Sequence, residues 1–204
     1  KQSNYLRTLM TNLTKGVIPK AWKVYAVTDA ATLNSWFIDF TQRIKQLQLI
    51  REQQLSGAKD MRVWLGGLFN PEAFITATRQ RAARSRQWSL ENLELSIVFD
   101  GAADSEGTSF VVEGLTLQGA SLRDNKLQLS ADMSSALQAT TFVWKNVIPT
   151  DQTVHNTSSD STSIPVYLNE SRAHLLFQVP IAARTSVSPA TLFQRGVAIT
   201  TSKL

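Results

Sequence analysis

The sequence predicts an α+β fold in which a helical stretch, residues 1–88, precedes a strand-rich stretch, residues 89–204. Three observations carry this. Apolar residues recur at helical spacing through the first part, the period shortens to two after Trp88, and the strand-like segments beyond are separated by turn-forming pairs. Short strands at such spacing suggest an antiparallel barrel or a sandwich. With 204 residues, 43% of them hydrophobic, the chain is long enough for one large domain or two small ones and can bury a real core.

From Asn4 to Thr14, Leu6, Leu9, Met10 and Leu13 recur at helical spacing, and Gly16 follows as a stop. In the apolar connector Val17 to Trp22, Pro19 favours an extended backbone, which predicts that Trp22 folds back onto the preceding helix. Thr28 or Asp29 is expected to cap a second, longer helix. Within it Leu33, Trp36, Phe37, Phe40, Ile44 and Leu47 share one side of a helical wheel and predict a core-facing stripe, with Asp39, Gln42, Lys45 and Gln46 turned away. This pattern frays between Gln53 and Gly57.

A third helix start is written in the stretch GGLFNPEAF. Asn70 is a favoured N-cap, Pro71 suits the first turn where its missing amide hydrogen would have had no partner, and Glu72 sits well against the positive end of the helix dipole. One face of that helix offers Phe74, Thr78, Ala82 and Ser85, with Ala77 beside them, small enough to let another backbone approach. Arg79, Arg81, Arg84 and Arg86 load its last two turns. The adjacent Gly66 and Gly67 predict a tight bend or close packing where the helical part meets the strands.

After Trp88, Leu93, Leu95, Ile97 and Phe99 alternate with Glu94, Ser96 and Val98 as in a half-buried strand. Further strands are predicted at 109–113, 115–118, 126–129, 140–145, 164–168, 175–179 and 197–201. Asp100-Gly101, Asp124-Asn125 and Asn169-Glu170 supply turn residues. The polar run from Thr150 to Ser163 predicts a loop, and Pro189 to Gln194 a short helix.

Several chemistries lack the residues they need. With no cysteine there are no disulfides, thiolate metal sites or cysteine nucleophiles, which fits a reducing compartment. No GxxxxGK[ST] loop occurs, and no lysine follows Gly66-Gly67 into the helix start. His155 and His174 have no carboxylate at ligand spacing on a shared helix, and no GxSxG elbow supports a serine nucleophile. We therefore expect no catalytic residue, metal or cofactor site. No run approaches the ~18 apolar residues that a membrane span needs. The opening KQSNYLRTLM has no secretory pattern and no initiator Met, and is expected to continue a longer polypeptide.

Residues 1–100 hold 14 Lys/Arg against 8 Asp/Glu, whereas residues 101–204 hold 7 against 8, so the excess positive charge is all in the first half. The arginine cluster reads as a solvated helix end, then as a site for an acidic protein surface, and last as a nucleic-acid footprint. Arg79 and Arg86 fall together on the wheel, Arg81 and Arg84 well away, so no single cationic stripe forms. No nucleic-acid partner is expected.

The segments WLGGLFNPEAFITATRQ, QWSLENLEL, GLTLQGA, IPVYLNESR, HLLFQV and FQRGVAI, in this order, resemble the C-terminal domain of dynein heavy chains of the cytoplasmic type. Trp36 and Arg43, in WFIDFTQRIKQL, match that family's tryptophan helix. The resemblance covers nearly the whole sequence except residues 150–163. It implies a helical subdomain followed by an antiparallel β-barrel, packed on the AAA+ ring of the same heavy chain in a cytoplasmic, cytoskeleton-associated motor that binds microtubules. It also implies that ATP sites and the microtubule-binding stalk lie elsewhere in the heavy chain. Trp36, Arg43, Gly66, Gly67, Phe69, Asn70, Pro71, Glu72, Arg79 and Arg84 are the candidates for ring docking or for the subdomain join. The alternative is a free-standing module whose barrel grips a peptide.

Overall fold

A computed structural model describes residues 3–25, 32–58, 61–99, 107–130, 133–147 and 161–201. Helix α1 (Asn4–Thr14) starts on Ser3, whose side chain accepts a hydrogen bond from the Leu6 amide, and ends before Gly16 at φ 66°. Lys20–Tyr25 forms a 3-10 turn. Helix α2 (Leu33–Leu55) is capped by Thr32 in a reciprocal capping box with Ser35. The expected cap at Thr28 or Asp29 lies outside the described residues.

Strand β1 (Arg62–Val63) leads through a 3-10 turn, Leu65–Gly67, into α3 (Pro71–Arg86). Asn70 caps α3 as its sequence predicts, its Oδ1 accepting from the Ala73 amide at 2.9 Å. The helix stops on Gln87 in the left-handed conformation, φ 55°. There follow β2 (Leu93–Val98), β3 (Ser109–Val112), β4 (Thr116–Gln118), β5 (Ser121–Arg123), β6 (Lys126–Gln128), β7 (Ser134–Ala136) and β8 (Thr140–Asn146). Then come β9 (Ser161–Tyr167), β10 (Leu175–Ala182), α4 (Pro189–Gln194) and β11 (Ala198–Thr200). Asp124 and Asn125, both at positive φ, make the tight β5–β6 hairpin. Residues 161–163, expected in a loop, belong to β9, and the remainder of that loop lies outside the described residues.

The strands do not close into one antiparallel barrel among the described residues. They form a four-stranded sheet in the order β1-β3-β8-β2, a five-stranded sheet β10-β9-β11-β4-β7, and the β5-β6 hairpin. Each larger sheet holds one parallel pair, β1 with β3 and β9 with β11. Parallel neighbours need a crossover connection, and α3 and α4 lie in the two segments that provide it. The alternating pattern cannot show this, because it fixes which face is buried and not which strand lies alongside.

The core crosses the change of period at residue 88: Val63, Leu65, Leu68, Ala82 and Ala83 join the same buried cluster as the strands. A series of aromatic rings links the layers. Phe74 on α3 meets Phe110 edge-on at 5.5 Å, Phe110 stacks on Phe142 at 5.7 Å, and Phe142 meets Phe177 edge-on at 5.7 Å. These four residues join α3, the four-stranded sheet and β10 of the five-stranded sheet. Edge-to-face and offset-stacked rings add to the area they bury, and this is why the sheets hold together without a shared hydrogen-bonded strand.

Candidate functional site

The sequence-predicted residues converge on the turn after β1. Arg43 of α2 is 1% exposed, and its guanidinium makes four hydrogen bonds. Nε and Nη2 donate to the two carboxylate oxygens of Asp39 at 2.8 and 2.9 Å, and Nη1 donates to the carbonyls of Gly66 and Leu68 at 3.0 and 2.6 Å. A planar fork of donors suits this task, since one face grips a carboxylate while the other satisfies two backbone oxygens of a turn. Phe69 lies under the same guanidinium, 5.9 Å from its centre, and edge-on to Phe40 at 5.7 Å. Phe40 stacks on Trp36 at 4.9 Å, and Trp36 on Trp22 at 5.1 Å. Trp36, Arg43, Gly66, Gly67 and Phe69 therefore form one continuous join.

The two glycines are needed for space rather than for a special backbone angle, since neither has positive φ. A Cβ on Gly66 would stand 2.5 Å from the Thr201 carbonyl oxygen and 2.8 Å from Trp64 Nε1. A Cβ on Gly67 would enter the Trp64 ring, 2.8 Å from Cζ3 and closer to Cε3. Trp64 Nε1 itself donates to the Thr201 carbonyl at 2.6 Å, while Thr201 Oγ1 donates to the Leu168 carbonyl at 2.6 Å. The turn thus ties α2 on one side to the end of the last strand on the other. Both the bend and the close packing that the glycine pair allowed are present: Leu65–Gly67 makes a 3-10 turn, and the glycines leave room for Trp64 and Thr201 against it.

Gln53 adds a second tie. Its side-chain amide donates to the Arg62 carbonyl at 2.9 Å and accepts from the Arg62 amide at 2.6 Å, so α2 covers the outer edge of β1.

On α3 the sequence-predicted residues have separate roles. Pro71 is buried in the first turn, and Glu72 stands 3.0 Å from His174 Nε2. Part of the small face meets its own sheet: Ala82 is buried and Trp144 Nε1 donates to Thr78 Oγ1 at 3.1 Å, while Ala77 and Ser85 are exposed. Arg79 also serves its own fold, its Nη2 donating to the Leu90 carbonyl at 2.7 Å with the guanidinium 5.8 Å above the Trp144 ring. Arg84 is exposed in the last turn.

Two expectations on the helical side are corrected. Trp22 lies on the helix that follows it, against Trp36 and Phe37, because the 3-10 turn at Lys20–Tyr25 carries it forward. The buried residues of α2 are Trp36, Arg43 and Gln46, while Phe37, Ile44 and Leu47 are exposed at 45, 37 and 44%. At 100° per residue the buried side is turned by about a quarter of a circle from the apolar stripe. Helix α1 buries no residue at all, and leaves Tyr5, Leu6 and Met10 exposed. Sequence reasoning missed Gln53 and Trp64 as joining residues and turned the buried Gln46 outward. Trp64 carried a usable signal, a large ring beside two glycines.

No group of acidic or histidine side chains fit to hold a metal occurs among the described residues, and none of their helices is long and apolar enough to cross a membrane. His155 lies outside those residues.

The family model for the C-terminal domain of dynein heavy chains matches residues 1–201. The protein belongs to that family. It is 43% identical over its full 204 residues to a cytoplasmic dynein heavy chain of Dictyostelium discoideum. It is 38% identical over 209 aligned residues, 99% of its length, to one of Drosophila melanogaster, and 38% over 200 residues, 98% of its length, to one of Caenorhabditis elegans. It spans about 4% of the length of each of these relatives. Helix α2 carries Trp36 and Arg43, and both face the join described above.

Proposed function

We propose that this domain is a non-catalytic brace of a cytoplasmic, cytoskeleton-associated dynein heavy chain, packing on the AAA+ ring of that polypeptide and modulating microtubule-based motility. One observation carries the reading. Twelve of the seventeen large hydrophobic side chains exposed among the described residues lie between Tyr5 and Leu55, on α1, the connector and α2. Exposed apolar side chains gathered on one part of a domain mark a surface that another protein surface covers. The similarity to heavy chains of which this sequence spans only 4% supplies the covering body.

In this reading the helical side docks and the join transmits. Arg43 and the Gly66-Gly67 turn fix α2 to both the β1 edge and the end of β11, so a push on α2 reaches the sheets without a flexible hinge. Arg84, exposed on α3, is the cation available to an acidic ring surface, whereas Arg79 is held within its own fold.

The test is removal of this domain from an otherwise complete motor, with ATPase and motility measured together. Unaltered ATPase with altered motility is the outcome of a transmitting brace. Unaltered motility contradicts it, and loss of both activities assigns the domain to ring folding alone. A peptide-binding role rests on the cavity of about 540 Å³ between β9 and α4, beside the exposed Phe193. That cavity lies away from the helical surface, and a peptide-binding role predicts that Phe193→Ala, rather than changes on α2, alters the motor.

A further inference from the structure

The side of α2 that faces Trp64 contains a donor with nothing to bond. Gln46 is 7% exposed, and its Nε2 has no hydrogen-bond partner among the described residues. A buried donor left unmade is costly, and such groups in folded proteins are nearly always paired with protein, with ordered water or with a bound partner. Gln46 lines a cavity of about 330 Å³ with Gln42, Lys45, Leu49 and Trp64. Residues 42, 45, 46 and 49 are neighbours on one face of a helix, so they open onto one space. The indole N–H of Trp64 is already given to the Thr201 carbonyl, so the ring offers an apolar wall rather than a polar partner. Asp39, one turn earlier, has its charge offset by Arg43. The charge at the cavity mouth is therefore that of Lys45.

A cation at the rim, amide donors beside it, one of them unpaired, and an apolar wall together fit a carboxylate on an extended or helical protein segment, its stem against Trp64 and Leu49. We infer that this cavity receives an Asp or Glu side chain of the ring-forming part of the same heavy chain, paired with Lys45 and hydrogen-bonded by the Gln46 amide after rotation of that amide group. The inference rests on the docking proposed above and adds the chemistry of one contact. The excess of cations in residues 1–100, 14 against 8 acidic residues, favours an acidic partner over a basic one.

Zero-length carbodiimide cross-linking of the complete motor tests this, since an amide forms only between a lysine and a carboxylate in contact. Peptide mapping is expected to show Lys45 joined to an Asp or Glu outside this domain. Gln46→Met, which removes the donor and keeps the shape, is expected to lower that product roughly ten-fold or more, the scale of one lost hydrogen bond to a charged group. Lys45→Arg, which keeps the cation but has no amine to form the amide, abolishes the product and so identifies Lys45 as its source. An absent Lys45 product overturns the inference, as does one that Gln46→Met leaves unchanged. Products from Lys15, Lys20 or Lys23 without one from Lys45 leave ring docking standing and remove only this contact. Ring docking itself fails only if all of them are absent and, in addition, Met10 and Phe37 are labelled by hydroxyl radicals in the complete motor as freely as in the domain alone.

Discussion

The two ends of this protein are built to different standards of closure. From Val63 onward the residues fill a core in which Phe110, Leu117, Phe142 and Ile199 are at most 1% exposed. Before it, α1 buries nothing and α2 buries one aromatic and two polar side chains. The strand-rich region is stabilised by its own packing. The helical region is held to it by the Arg43 fork, the Gln53 pairing and a short stack of aromatic rings, and keeps its apolar side outward. A part that is well attached but poorly covered is what a docking element should look like, whereas a part meant to act alone would turn Phe37, Ile44 and Leu47 inward.

The largest effect that sharpens this contrast is expected within the closed core. Phe142→Ala removes the ring that links both sheets and should cost about 3–5 kcal/mol, read as a lower urea midpoint with an unchanged slope. Next comes the join. Arg43→Ala leaves the Gly66 and Leu68 carbonyls without their donor and Asp39 without its cation, a loss of about 3 kcal/mol. Its distinguishing sign is early proteolytic cleavage in α2 while the segments after Val63 stay intact. If both regions were cleaved together, the division between them would be wrong.

Gly67→Ala should cost about 2 kcal/mol by forcing a methyl into the Trp64 ring, measured by thermal unfolding. Because the glycine has no positive φ, pairing it with Trp64→Leu should recover part of the loss. No recovery would point to the backbone instead of the ring. Asn70→Ala removes a single cap and should cost about 1 kcal/mol. The smallest effect on stability is expected at the open surface: Ile38→Ser, at a side chain 53% exposed on α2, should change it by less than about 0.5 kcal/mol. That same change should still reduce the motility of the complete motor.

Much of this was legible in sequence because the signals were local. Asn70-Pro71, the alternation through Leu93–Phe99, Asp124-Asn125 and Pro189–Gln194 each carry their own reason for their conformation, and each adopts it. The parts that were not legible depend on distant partners. Nothing near Arg43 indicates that two carbonyls some twenty-five residues away will need a donor, so a helical wheel turns Phe37 and Leu47 inward and Gln46 outward. β1, β5 and β7 are two or three residues long and too short to show a period. The parallel pairs depend on where crossovers land, which alternation does not encode. Arg79 and Arg84 look alike as cations on one helix, and only the position of Trp144 and the Leu90 carbonyl separates the inward one from the outward one.

Whether the helical side is the covered face is decided by hydroxyl-radical footprinting of the complete motor. Met10 and Met133 are chemically identical reporters, 55 and 83% exposed in the domain by itself, one on α1 and the other beside β7. Docking through the helices predicts that Met10 and Phe37 are shielded in the motor while Met133 and Phe193 stay freely oxidised. Labelling of Met10 and Phe37 in proportion to their exposure in the domain alone would show that the helices face solvent and that the docking surface lies elsewhere.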